Sequence, residues 1–100
     1  GRKVDLPRAS EAGGKEDSLS ECVVNITWEA EARQAVWMIE EEAVSRGDLT
    51  KRIAVRLGRN PAVRLLVRAD ADLPAGHVSA VVEAAAAAGV SEVHFATRSR

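Results

Sequence analysis

Residues 63–97, VRLLVRADADLPAGHVSAVVEAAAAAGVSEVHFAT, decide the fold. Val63, Leu65, Val67 and Ala69 recur at every second position, so one face of an extended segment is apolar. Leu66 sits between Arg64 and Arg68 on the other face. Asp70 and Asp72 end that run, and Pro74 is well suited to the first turn of a helix. The helix is expected to run to Ala88, with a stripe of Val78, Val81, Val82, Ala85, Ala86 and Ala88. Gly89 follows as its C-cap, since glycine tolerates the left-handed conformation that stops a helix. Val90 to Thr97 supplies another strand, with Val93 and Phe95 turned inward. Strand, helix and strand in this order make a right-handed parallel crossover.

Working back from Val63, Asn60-Pro61 forbids helix continuation. Before it, Leu49, Ile53 and Leu57 recur every four residues, with Asp48 as N-cap and Gly58 as terminator of a short amphipathic helix. Cys22, Val24, Ile26 and Trp28 alternate with Val23, Asn25 and Thr27, which reads as a half-buried strand. A second apolar run, Ala35 to Ile39, pairs with it as a hairpin, although Glu29 to Gln34 contains no Gly, Asn or Asp to mark the turn. Glu40, Glu41 and Glu42 are read as solvent-facing. The expected architecture is therefore α+β: a two-layer sandwich in the order β-β-α-β-α-β, with a mixed sheet and two helices on one face.

Composition narrows the function. One hundred residues support one small core. A net charge of -1 and 3% aromatic residues give nucleic acid little to bind. The arginines Arg56, Arg59, Arg64 and Arg68 lie among acids and read as a solvated face. A single cysteine, Cys22, excludes an internal disulfide and a cysteine-based zinc cluster. No apolar run reaches the ~20 residues that span a bilayer, and no signal peptide is visible. The start Gly1-Arg2-Lys3-Val4, without methionine, fits a soluble piece of a longer protein. Residues 1–20 are charged and poor in large apolar groups, and read as a tether ahead of a domain over 21–100.

The chemistry-bearing candidates are few. Asp70, Asp72 and His77 fall past a strand's carboxyl end and at a helix start, where open α/β sheets bind ligands. They admit two readings: a metal or acid–base site, or acids that cap the orphan N–H groups of the second helix. His94 lies mid-strand and points away from Val93 and Phe95. Ser79, Ser91 and Thr97 have no nucleophile-elbow context, and Ala12-Gly13-Gly14-Lys15 lacks Walker spacing. Nothing here marks an enzyme, and no cofactor is called for. The residues describe a binding or assembly domain.

The same features resemble the periplasmic domain of the ExbD/TolR family. The resemblance rests on Val4-Asp5-Leu6-Pro7-Arg8-Ala9, similar to the family's DLP segment, on the Cys22–Ile39 hairpin, on Val44-Ser45 before a Leu-containing helix, and above all on residues 63–97. It implies a proton-motive-force transducer: a single-pass inner-membrane protein with this domain in the periplasm and residues 1–20 as a flexible periplasmic tether. It implies a homodimer working with an ExbB- or TolQ-like channel subunit and a TonB- or TolA-like partner, and peptidoglycan binding in a TolR-like member. The family's proton-carrying aspartate belongs to a membrane helix this chain lacks, and Asp5 is not that residue. Val4, Asp5, Leu6 and Pro7 are the expected partner-binding residues, adding as a strand to the partner. The alternative is a stand-alone small-molecule or metal-binding regulatory domain built on Asp70, Asp72 and His77.

Overall fold

A computed structural model describes residues 20–98 of the chain. Strand β1 (Glu21–Glu29) is followed by β2 (Gln34–Ile39) and β3 (Glu42–Val44), and a 3-10 turn at Arg46–Asp48 leads into helix α1 (Leu49–Arg59). Then come β4 (Arg64–Asp70), helix α2 (Ala75–Ala88) and β5 (Val93–Arg98). The five strands form one mixed sheet in the order β3-β2-β1-β4-β5, so the first strand in sequence is the middle strand in space. β1 is antiparallel to β2 and parallel to β4, and β5 continues the parallel side.

The period-two pattern does what it should. Cys22, Val24 and Ile26 from β1, Trp37 and Ile39 from β2, and Leu65 and Val67 from β4 are buried on the face that the helices cover. Ile53 of α1 and Val81 of α2 complete the core at 0% exposure each, so removing either would leave a void costing about 2–5 kcal/mol. Ala80, Ala84 and Ala85 are buried too, and their small size lets α2 lie close to the sheet. Gly89 closes α2 at φ 100°, and its N–H donates to the carbonyls of Ala85 and Ala86, as the sequence anticipates.

The two-layer α+β sandwich stands, with differences in detail. A third strand, β3, follows β2, and the order is β-β-β-α-β-α-β. It is short, and its only inward buried residue, Val44, pairs with Trp37. The two residues between β2 and β3 are Glu40 and Glu41, with φ 54° and 67°. Such a double left-handed reversal normally carries Asn-Gly, so its sequence signal is missing. The β1–β2 hairpin likewise turns on a non-glycine residue, Arg33 at φ 54°. Gly58 does not end α1, which runs on to Arg59 and is capped by Asn60. Val82, assigned to the apolar stripe, is 39% exposed. Phe95 lies in register with buried Val67 yet is 38% exposed, because β5 is the sheet's edge and the helices do not reach over it. The expectations for residues 1–19, including Val4–Pro7 and the tether, lie outside the described residues.

Candidate functional site

The parallel strands β1 and β4 end where Asp70, Asp72 and His77 were singled out, but the three do not converge. Pairing between β1 and β4 stops at Ile26 and Ala69, so the Trp28 amide has no strand acceptor on that side. The Asp70 carboxylate provides one: Trp28 N–H donates to Oδ2 at 3.0 Å. Oδ1 takes the Arg98 guanidinium at 3.2 Å, and a second nitrogen of Arg98 reaches Asn25 Oδ1 at 3.5 Å. Asp70 therefore fastens the ends of β1 and β5 and does not cap α2. That helix begins at Ala75, with Pro74 at the cap position and no side-chain cap bond. Asp72 is exposed in the turn before it.

His77 sits in the first turn of α2 among aromatic rings. Its imidazole lies 5.4 Å from Trp28 and 5.9 Å from Trp37, centroid to centroid. Its carbonyl accepts a bond from Trp37 Nε1 at 3.2 Å, which satisfies the buried indole. Its buried Nδ1 has no partner among the described residues. Both tryptophans of the chain are thus packed on one histidine, a grouping invisible in sequence because 40 or more positions separate His77 from Trp37 and Trp28. Among the described residues no group of three or more His, Cys, Asp or Glu side chains gathers to hold a metal ion. His94 lies on the uncovered face, with Nε2 2.6 Å from Glu92 Oε2. That bond holds the Glu92 carboxyl below its ordinary value.

A second grouping lies at the opposite end of β1, and the sequence did not suggest it. Arg56 is 7% exposed and not part of a solvated face. Its Nε is 3.4 Å from Glu40 Oε2, and Nη2 donates to the Glu21 carbonyl at 3.3 Å. Arg59 reaches the same Glu40 oxygen at 3.5 Å, and Arg52 pairs with Glu42 at 3.2 Å. One helix thus grips the β2–β3 turn through three guanidiniums. The available signal was spacing: Arg52, Arg56 and Arg59 share one side of α1, opposite an unbroken run of acids at 40–42. Beside them is an open cleft of about 610 Å³, bounded by β1 residues, the turn and the end of α1. Cys22 lines it, and burial pushes its thiol above the ordinary value.

Neither grouping, among the described residues, presents a nucleophile, base and oxyanion donor together. The chain matches the family described as Biopolymer transport protein ExbD/TolR over residues 1–100. It belongs to the ExbD/TolR family. No curated protein matches this chain. Membership places it among subunits that energise biopolymer transport, a family of single-pass inner-membrane proteins with a periplasmic domain. Among the described residues no helix is long and apolar enough to cross a membrane.

Proposed function

We propose that this chain is the periplasmic part of a proton-motive-force-dependent transducer, acting as a homodimer that engages TonB- or TolA-like proteins and works beside an ExbB- or TolQ-like channel subunit. The observation that carries this reading is the family match across all 100 residues. Residues 1–20 serve as the tether from the membrane, and Val4, Asp5, Leu6 and Pro7 add to the partner as a strand. Peptidoglycan is a further ligand of this reading. The role is non-enzymatic: the domain passes on a conformational state, and the proton moves elsewhere.

Site-specific photo-crosslinking at Leu6 in the membrane-anchored parent protein tests it. The crosslinker is expected to capture the TonB- or TolA-like protein while the proton gradient is intact and to lose it on uncoupling. Absence of any capture in energised cells sinks the strand role. Sedimentation showing only monomer at high concentration sinks dimerisation, and a sacculus pull-down decides peptidoglycan binding.

A further inference from the structure

Among the described residues the middle strand of the sheet is unpaired on one side along part of its length. β1 begins at Glu21, but its pairing with β2 begins only at Val24, opposite Ile39. Among the described residues Glu21, Cys22 and Val23 are paired with β4 on one side alone. On the other side β2 has turned away at Glu40-Glu41, whose paired left-handed conformations cost on the order of 1–3 kcal/mol each. Had β2 continued straight, its next residues would lie against Val23 and Cys22. The space they would fill is the cleft of about 610 Å³. One strand acceptor there is already met artificially: the Glu21 carbonyl is bonded by the buried Arg56 guanidinium.

We propose that this gap is a docking site for an extended peptide segment of a partner protein, added beside Glu21–Val23 as a short strand, with an acidic residue at its centre. An unpaired strand edge is a template for main-chain pairing. Here it is interior, bounded by the turn and by α1, so it admits a few residues and not a whole sheet. Alternation sets the side-chain preferences. The residue placed opposite Cys22 points to the helix side, where Arg56 and Arg59 line the cleft and converge on a single oxygen of Glu40. Two guanidiniums sharing one carboxylate oxygen leave that position suited to a second carboxylate, with Glu21 and Glu41 farther along the lining. Its neighbours point to the uncovered face, where half-buried Val23 favours an apolar contact. The site is distinct from the strand role of residues 4–7, and its failure leaves that role and the family assignment untouched.

The probe is the peptide acetyl-Ser-Val-Asp-Val-Ser-amide, titrated into the full chain and followed by amide chemical shifts. Shifts are expected at Glu21–Val23 and Glu40–Glu42. Replacing the peptide's Asp by Lys is expected to weaken binding roughly tenfold. Blocking the amide of its first valine, which lies opposite Val23 when the peptide runs antiparallel to β1 as β2 does, by N-methylation is expected to do at least as much, since main-chain pairing is lost. Arg59, 61% exposed by its side chain, can be changed to Ala without touching the core, and Arg59→Ala is expected to cut the preference for Asp over Lys to about threefold or less. Silence of these amides at about 5 mM peptide overturns the proposal, as does equal binding of the Lys or N-methylated peptide. Asp5→Lys in the same chain distinguishes the occupant: tighter peptide binding in that variant means the chain's own residues 4–7 occupy the gap, which overturns the assignment to a partner.

Discussion

Replacing Asp70 by Ala should cost this domain a large part of its stability, and the cost can be assembled from its contacts. The change strands the Trp28 amide, which has no strand acceptor beyond Ile26 and depends on Oδ2 at 3.0 Å. A donor left unsatisfied in a part-buried site costs about 1–3 kcal/mol. The Arg98 guanidinium also loses its contact at 3.2 Å; with side chains 33% and 17% exposed, that pair adds no more than about 1 kcal/mol. The sum, about 1–4 kcal/mol, lowers the melting temperature of a domain this size by about 4–30 °C. Asp70→Asn keeps an oxygen for the amide and loses only the charge, so it should cost about 1 kcal/mol. Asp72→Ala, in an exposed turn ahead of a helix capped at Pro74, should stay within about 0.5 kcal/mol. Urea unfolding followed by tryptophan fluorescence measures all three, since Trp28 and Trp37 both report on the core. The reasoning fails if Asp72→Ala costs about 1 kcal/mol or more, the magnitude of a lost N-cap, while Asp70→Ala costs less.

Glu41→Gly should stabilise the fold by about 0.5–1 kcal/mol: it relieves a left-handed residue at φ 67°, worth about 1–2 kcal/mol, and gives back part of that as unfolded-chain entropy. A raised urea midpoint with unchanged slope is the expected result. Cys22, 1% exposed and with its thiol pushed up by burial, should resist a thiol reagent at neutral pH in the native protein and react fully in urea. Glu92 should titrate below 4.5 by NMR because His94 bonds its carboxylate, and His94→Ala should bring it back up. The sign follows: a depressed carboxyl contributes stability above its unfolded value and loses it as pH falls through the folded one. In this exposed pair the effect on unfolding should be small.

Much of the fold was legible because burial and period agreed. Leu65 and Val67 alternate with Leu66 and Arg68, and Gly89 stands where α2 needs a left-handed residue. What escaped was set by tertiary contact. β3 hides behind a reversal made by two glutamates, held from outside by Arg56 and Arg59, so local turn chemistry said nothing of it. Asp70 has the composition of a cap and the position of one, yet its partners come from Trp28 and Arg98, 42 and 28 residues away. Arg56 was read as solvated because its neighbours in sequence are charged. Its burial depends on a carbonyl of β1, which no pattern within α1 reveals.

The first strand among the described residues is also the sheet's middle strand, and this has a mechanical consequence. Whatever pulls on residue 20 draws β1 along its own axis, while β4 holds it from Glu21 and β2 from Val24 onward. Hydrogen bonds between strands lie across that direction, so they are loaded together in shear and not opened one after another. An edge strand in the same position would peel away under a small force.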